Sequence, residues 1–140
     1  MKVVAVSGYF LYPHVGHIRL FRDAKALGDR LVVIVNNDQQ QEMKYGRVIT
    51  PLRDRLEVVA ALGVVDEVFA AVDTDRTVCR SLIELQPDIF ANGGDRFDAN
   101  IPEKPICDEH GIELVFNVGG EKVESSSRIL GELSEESATN

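Results

Sequence analysis

The sequence predicts an α/β fold, a single domain built on a doubly wound, five-stranded parallel sheet of the Rossmann-like type. Two observations lead to this class. Apolar, β-branched runs alternate along the chain with segments whose apolar residues recur at helical spacing. Polar or glycine-rich turns follow the strand-like runs, as in open α/β sheets that bind ligands at the carboxyl ends of their strands.

The first crossover is predicted from three consecutive segments. Residues 2–7 (KVVAVS) are almost wholly apolar, which is typical of a strand covered on both faces. In residues 15–27 the apolar side chains lie nearly one helical turn apart, and Gly28 ends the predicted helix. Residues 30–36 (RLVVIVN) repeat the buried-strand pattern. Strand, helix and strand in this order predict a right-handed parallel crossover.

A polar segment separates the second strand from the second helix. We expect residues 37–49, which include consecutive glutamines, to form a long loop beside the carboxyl edge of the sheet. Thr50 and Pro51 then predict a helix start, because threonine caps helices and proline suits the first helical position. An apolar stripe continues that helix to Gly63.

The remaining elements continue the alternation. Pro102 and Pro105 make one segment irregular or at most a short helix, and the serines at 125–127 can cap a last helix. In chain order we expect a strand at 68–72, a helix at 75–85, a strand at 89–91, the proline-containing segment at 100–110, a strand at 113–117 and a helix at 128–133. Residues 1–133 therefore form the predicted domain, and residues 134–140 form a polar tail.

Composition excludes several classes of protein. Of the 140 residues, 44% are hydrophobic and 27% are charged, which is ordinary for a soluble globular protein, and no apolar run is long enough to span a membrane. The formal net charge of -8 repels polyanions, so we expect no nucleic-acid partner. Cys79 and Cys107 lack metal-ligand spacing and are expected to be reduced, largely buried thiols in a cytoplasmic protein.

The strongest chemical signal is a turn with two histidines, His14 and His17, around Gly16 at the predicted start of the first helix. A helix start offers free N–H groups to phosphate oxygens, and a glycine lets a nucleotide approach the backbone. Two imidazoles one turn apart can add donors that stabilise charge on a phosphorus under attack. Two polar residues at an ordinary helix start are the simpler alternative. A zinc site lacks a third ligand, so no metal ligand is assigned.

The run from Gly8 to His17, GYFLYPHVGH, resembles the signature of the cytidylyltransferase-like nucleotidyltransferase superfamily, in which Gly-x-Phe precedes His-x-Gly-His. The similarity covers about residues 2–130. It is greatest to the heptose-1-phosphate adenylyltransferases, followed by glycerol-3-phosphate cytidylyltransferase. Further matches in chain order are Leu27-Gly28-Asp29, Asn36-Asn37-Asp38, Pro51-Leu52 with Arg55, Val65-Asp66, Pro87-Asp88 and Gly93-Gly94-Asp95.

This resemblance implies a reaction in which the phosphate of a small substrate, a sugar or polyol phosphate, attacks the α-phosphorus of ATP or CTP in line. Mg²⁺ assists, no covalent enzyme intermediate forms, and pyrophosphate leaves. Related enzymes are often homodimers, which makes a homodimer one expected assembly. The protein would contribute positioning and electrostatic stabilisation.

The resemblance also implies functions for individual residues. Lys44 and Arg55 match basic positions near phosphates, although their types alone suggest solvated surface charges. The turn at 93–96 matches one that lies against the base and ribose, although glycine and aspartate also suit any tight turn. The predicted catalytic residues are His14, His17 and Lys44, and the predicted nucleotide-binding residues are Gly8, Tyr9, Phe10, Gly16, Arg55, Gly93, Asp95, Arg96, Ser125, Ser126 and Ser127.

Two positions depart from the family pattern. Leu11 stands where the family usually has an aspartate near the metal and phosphates, which leaves a noncatalytic nucleotide-binding protein as one alternative. Residues 119–122 lack the arginine of the cytidylyltransferase branch, and Lys122 cannot replace a planar guanidinium, which favours ATP over CTP. A second alternative keeps the adenylyltransferase class with a coenzyme precursor as acceptor, such as pantetheine phosphate, flavin mononucleotide or nicotinamide mononucleotide.

Overall fold

The sheet has five parallel strands with helices between them. The computed structural model describes residues 1–94 and 101–120. The strands are β1 (Val3–Gly8), β2 (Arg30–Val35), β3 (Glu67–Ala70), β4 (Ile89–Ala91) and β5 (Glu113–Val115). The helices are α1 (Val15–Lys25), α2 (Asp38–Tyr45), α3 (Leu52–Ala60), α4 (Cys79–Leu85) and α5 (Lys104–His110). The predicted last helix and tail, and the assigned residues Asp95, Arg96, Ser125, Ser126 and Ser127, lie outside the described residues.

The strand order is β3-β2-β1-β4-β5, and all neighbouring strands are parallel. From β1 the chain adds β2 and then β3 on one side of the sheet. It then returns and adds β4 and β5 on the other side of β1. In such sheets the crevice at this switch point, between the carboxyl ends of β1 and β4, is the usual ligand site. The predicted α/β class and five-stranded parallel sheet are confirmed.

The strands carry apolar residues toward two separate cores, one on each face of the sheet. Val4 and Val6 belong to a cluster that includes residues from α1 and α3, such as Phe21 and Val59. Ala5, between the two valines, belongs to a second cluster with residues of α4 and α5. The same alternation holds in β2 and β4, so both sheet faces are covered and the continuous apolar runs of the central strands are explained.

The loop predicted at residues 37–49 is wrong, because most of it is helix α2. Asn37 caps this helix by accepting a hydrogen bond from the Gln40 N–H at 2.9 Å, while the Gln40 side chain accepts one from the Asn37 N–H at 2.9 Å. Gly46 ends the helix in the left-handed conformation, with φ of 81°. The helix has no apolar stripe because its buried side chains are glutamines, so the periodicity of apolar residues does not indicate it.

Several predicted boundaries also shift. Pro51, rather than Thr50, occupies the cap position of α3, and no side chain caps that helix. Helix α4 begins at Cys79 instead of residue 75, because the Asp73 carboxylate binds the N–H groups at the helix start. Strands β3 and β5 are shorter than predicted, and the proline-containing segment forms α5 as its short-helix alternative expected. Within residues 1–94 and 101–120, no helix is long and apolar enough to cross a membrane.

Candidate active site

His14 and His17 form the start of α1 with their own side chains. The Nδ1 atom of His14 accepts a hydrogen bond from the Gly16 N–H at 3.1 Å, and the Nδ1 atom of His17 accepts one from the His14 N–H at 3.2 Å. The two rings stack with a centroid distance of 4.0 Å and an interplanar angle of 27°. The spacing predicted two imidazoles at one spot, and the geometry agrees.

These hydrogen bonds also decide where each ring carries its proton. A ring nitrogen that accepts from a backbone N–H holds a lone pair, so the proton of the neutral imidazole is on the other nitrogen. His14 and His17 therefore both carry the proton on Nε2. The turn thus contains two imidazole N–H groups beside the first N–H groups of a helix, a combination of donor types that suits phosphate oxygens.

The Phe10 ring packs against the histidine turn, and Gly8 leaves the space that this ring occupies. Phe10 has a left-handed backbone, with φ of 53°, and its ring contacts the His17 ring edge-on at a centroid distance of 5.1 Å. A Cβ atom on residue 8 would lie 2.7 Å from the Cζ atom of Phe10. Glycine is therefore required at position 8 so that the Phe10 ring can pass across the strand end and hold His17. The predicted nucleotide contacts of Gly8, Phe10 and Gly16 stay predictions.

Gly93 reaches the same switch point from β4. The residue before it, Asn92, donates its N–H to the Val115 carbonyl at 2.8 Å and accepts a hydrogen bond from the Val118 N–H at 3.0 Å. These two bonds fix the turn after β4 to the end of β5. Because β4 pairs directly with β1, Gly93 and the histidine turn lie at the same edge of adjacent strands.

Lys44 of α2 lies beside Tyr9, the residue that follows β1. The Lys44 Nζ atom is 4.6 Å from the centroid of the Tyr9 ring and 5.3 Å from that of Tyr45, and the two rings meet edge to face at 5.7 Å. The structure thus brings the predicted residues Lys44 and Tyr9 together. Burial raises the pKa of Tyr9, and the nearby Arg76 guanidinium opposes this increase.

Arg55 is buried, with 1% of its surface exposed, so its interpretation as a solvated surface charge is wrong. Its Nη1 atom donates to the carbonyls of Tyr9 at 2.9 Å and Asn36 at 2.6 Å, and its Nε atom donates to the Thr50 carbonyl at 2.8 Å. Its Nη2 atom pairs with the Asp38 carboxylate at 2.9 Å. Arg55 therefore ties the ends of β1 and β2 to α2. A direct phosphate contact stays a prediction.

Gln40 positions the site although its sequence context gave no such signal. It is fully buried. Its Oε1 atom accepts from the Asn36 amide at 3.0 Å and the Asn37 N–H at 2.9 Å, and its Nε2 atom donates to the carbonyls of Asp75 at 2.8 Å and Thr77 at 2.7 Å. All four hydrogen-bonding positions of the amide are used. The loop after β3 is therefore fastened to α2.

Gln41 fastens the segment before α3 to helix α2. Its Oε1 atom accepts from the N–H groups of Ile49 at 2.6 Å and Thr50 at 3.0 Å, and its Nε2 atom donates to the Thr50 carbonyl at 2.8 Å. Thr50 thus binds Gln41 through its backbone instead of capping α3. A buried glutamine cannot be told from an exposed one by residue type, so this pair could have been found only from the structure.

The described residues offer neither a metal centre nor a reactive thiol. Within residues 1–94 and 101–120, no group of three or more histidine, cysteine or acidic side chains is arranged to hold a metal ion. Leu11, at the position of the family aspartate, is buried. Burial raises the pKa of Cys107 to about 11 and also raises that of Cys79, so both stay protonated near neutral pH.

Known proteins resemble this chain in sequence and in fold. The bifunctional protein HldE of Streptomyces coelicolor is 43% identical over 116 residues, which are 81% of this chain but 25% of that protein. The FAD synthase of Thermococcus kodakarensis is 40% identical over 111 residues, which are 78% of this chain and 73% of that protein. The chain thus spans about a quarter of the length of HldE.

Among solved structures, a lipopolysaccharide core biosynthesis protein from Thermoplasma volcanium superposes with a TM-score of 0.70 at 27% identity, over 89% of this chain and 99% of that one. A protein from Archaeoglobus fulgidus, with a TM-score of 0.62 at 20% identity, shares the fold. The cytidylyltransferase-like family model matches residues 5–127. With its histidine turn at the start of α1, the chain belongs to the cytidylyltransferase-like family, as the run from Gly8 to His17 predicted.

Proposed function

We propose that the protein transfers a nucleotide from an NTP to the phosphate of a small substrate and releases pyrophosphate. The observation that carries this proposal is the stacked pair of His14 and His17, whose Nε2–H groups lie at the start of α1. A pair of neutral N–H donors at a helix start suits the polyanionic triphosphate better than it suits a carbonyl or an amine.

In the proposed reaction, an oxygen of the acceptor phosphate forms a bond to the α-phosphorus of the NTP. The bond from that phosphorus to the bridging oxygen breaks, and pyrophosphate leaves with its electron pair. His14 and His17 supply N–H donors to the phosphate oxygens, on which negative charge grows as the bonds change. Each ring keeps its proton, because its Nδ1 atom is engaged with the backbone. The protein contributes orientation and charge stabilisation.

We propose that Mg²⁺ enters as part of the substrate, bound to the triphosphate. Magnesium commonly keeps several waters and is held through substrate phosphates with one or two carboxylates. Leu11 supplies no such carboxylate, and the part of the chain that the structure describes has no cluster of metal ligands. No step is therefore assigned to a metal held by the protein.

We propose ATP as the preferred nucleotide and a sugar or polyol phosphate as the acceptor. The similarity to an FAD synthase supports an adenine nucleotide, since FAD contains one. The same similarity favours a coenzyme precursor such as flavin mononucleotide as the second candidate acceptor. A cytoplasmic location and a homodimer stay predictions.

A matrix of substrates tests the proposal. ATP, CTP, GTP and UTP are each combined with Mg²⁺ and with phosphorylated sugars, polyols and coenzyme precursors, and pyrophosphate release is measured. We expect release with ATP and one class of acceptor. Binding of an NTP by calorimetry without release in any combination would favour the noncatalytic alternative. Failure to bind any of the four nucleotides would contradict the proposal.

A further inference from the structure

The Arg55 guanidinium holds two carbonyl oxygens at the point where β1 and β2 end. Its Nη1 atom donates to the Tyr9 carbonyl at 2.9 Å and to the Asn36 carbonyl at 2.6 Å. The Asn36 N–H in turn donates to the Gly8 carbonyl at 2.9 Å, so the two strand ends are also bonded to each other. A buried cation on α3 therefore fixes the direction in which the Tyr9 carbonyl points.

The Tyr9 carbonyl belongs to the peptide that leads into Phe10, a residue with a left-handed backbone. Phe10 has φ of 53°, a conformation that residues with a Cβ atom adopt only at an energetic cost. Rotation of the Tyr9–Phe10 peptide by about half a turn would bring this φ into the extended region, but it would also carry the Tyr9 carbonyl away from Arg55. The hydrogen bond from Arg55 therefore opposes the relaxation of Phe10.

The backbone of Phe10 determines where its ring lies, and the ring lies against His17. The two ring centroids are 5.1 Å apart at an interplanar angle of 79°, and the Phe10 ring also meets Phe21 at 5.4 Å. His17 in turn stacks on His14, with ring centroids 4.0 Å apart. A rotated Tyr9–Phe10 peptide would therefore remove the ring that supports one member of the histidine pair.

The protein itself occupies the Arg55 guanidinium. Besides the two bonds of Nη1, its Nε atom donates to the Thr50 carbonyl at 2.8 Å and its Nη2 atom pairs with the Asp38 carboxylate at 2.9 Å. Four of the five N–H groups of the guanidinium are thus engaged with the chain. Such an arrangement suits a residue that holds the strand ends better than one that binds a phosphate.

We propose that Arg55 is a positioning residue for His17 and that it acts through the Tyr9–Phe10 peptide. This inference rests on the proposed function, because it concerns an imidazole that donates to the phosphate. Arg55 holds the Tyr9 carbonyl, the held peptide keeps Phe10 left-handed, and the Phe10 ring keeps the His17 ring in place. Such support matters because a displacement of about 1 Å at a reacting group can lower a rate about a hundredfold.

The test replaces Arg55 in two ways in the full chain. Arg55→Lys keeps the charge beside Asp38 but has a single nitrogen for four partners, and Arg55→Gln removes the charge as well. Arg53→Lys is the matched control, because it makes the same change at an exposed position of α3. Leu82→Ala is the control for lost stability, because Leu82 is buried in the core on the opposite face of the sheet. Circular dichroism and urea denaturation verify that each variant is folded and measure its stability.

The first readout requires no substrate. Nuclear Overhauser effects between the ring protons of Phe10 and His17 are measured by NMR in protein without nucleotide. We expect them in wild type, in Arg53→Lys and in Leu82→Ala, and we expect their loss in both Arg55 variants. A role of Arg55 in stability alone would leave these effects in place in any variant that folds.

The second readout separates kcat from KM, with an acceptor found by pyrophosphate release. Both Arg55 variants should lower kcat at least about tenfold and change the KM for the NTP by less than about threefold, because a displaced donor is missed mainly in the transition state. Arg53→Lys and Leu82→Ala should keep kcat within about twofold of wild type. Phe10→Leu removes the ring and leaves Arg55 intact, so it should lower kcat by a similar factor, and it decides the matter where neither Arg55 variant folds.

Effects between Phe10 and His17 that persist in a folded Arg55 variant would overturn the inference, and so would an unchanged kcat in Phe10→Leu. An equal loss of kcat in Leu82→Ala would overturn it as well, because lost stability would then explain the result. A raised KM for the NTP with an unchanged kcat would mean that Arg55 binds the nucleotide directly, against the inference. Wild-type protein that releases no pyrophosphate with any substrate would contradict the proposed function instead, and the NMR measurement would still decide whether Arg55 positions His17.

Discussion

Gln40→Met separates the glutamine's hydrogen bonds from its volume. The methionine side chain is of similar length and fills the same space, but it cannot replace the bonds to Asn36, Asn37, Asp75 and Thr77. Three of the four partners lie at exposed or half-buried positions, where water can substitute at a net cost of about 1 kcal/mol each. The buried Asn36 amide loses an acceptor at a cost of about 1–3 kcal/mol.

The expected decrease in the free energy of unfolding is therefore about 4–6 kcal/mol. This is a large part of the roughly 5–15 kcal/mol that holds a typical domain together. Urea denaturation followed by circular dichroism measures the decrease. Gln39→Met is the matched control, because Gln39 is exposed on the same helix, and it should change the stability by less than about 0.5 kcal/mol.

A second measurement connects this stability effect to the loop after β3. Because Gln40 holds the carbonyls of Asp75 and Thr77, Gln40→Met should also speed amide hydrogen exchange in the loop after β3, whereas Gln39→Met should not. A free energy of unfolding for Gln40→Met within about 1 kcal/mol of that for Gln39→Met would refute the reasoning, because four lost hydrogen bonds would then have cost almost nothing.

Three further predictions concern the strand end, the histidine turn and the thiols. Gly8→Ala should lower the free energy of unfolding by about 1–3 kcal/mol, because the added Cβ atom would collide with the Phe10 ring. Gly63→Ala is the control and should not lower it in this way, because a Cβ atom at residue 63 has nothing within 4 Å. Equal effects of the two substitutions in urea denaturation would contradict this prediction. His14→Asn should keep the helix content by circular dichroism but lower kcat at least about tenfold, and an unchanged kcat would contradict the assignment of His14. With a pKa of about 11, Cys107 should react with Ellman's reagent at pH 8 only after unfolding, and fast labelling of both native thiols would contradict its burial.

The parts of the fold that were predicted from the sequence are those whose apolar pattern is strong. Residues 2–7 and 30–36 became β1 and β2 within a residue or two, because buried parallel strands need continuous β-branched apolar runs. Helix α1 was predicted from apolar residues at helical spacing. It ends at Lys25, and the Gly28 N–H donates a hydrogen bond to the Lys25 carbonyl just beyond the helix. Where apolar burial drives an element, the pattern and the structure coincide.

The errors fall where polar groups are buried. Helix α2 was predicted as a loop because Gln40 and Gln41 take the places that leucines occupy in an ordinary helix. The residue type of Arg55 suggested a solvated surface charge, yet its buried guanidinium donates hydrogen bonds to carbonyls at the ends of β1 and β2. In both cases the buried side chain is stabilised by backbone groups far away in sequence, and no local pattern reports such partners.

For the histidine turn, residue spacing correctly predicted the proximity of the two rings but not how they are oriented. A serine or aspartate would cap α1 equally well, so capping alone does not account for two imidazoles. An imidazole differs in having a second nitrogen on the far side of the ring, so one side chain can satisfy the helix start and still donate an N–H to a ligand. In His14 and His17 the bonds through Nδ1 stabilise the helix and fix the tautomer together. The folding of α1 therefore fixes the tautomer of both rings in advance, which is the preorganisation that the proposed charge stabilisation on a phosphate requires.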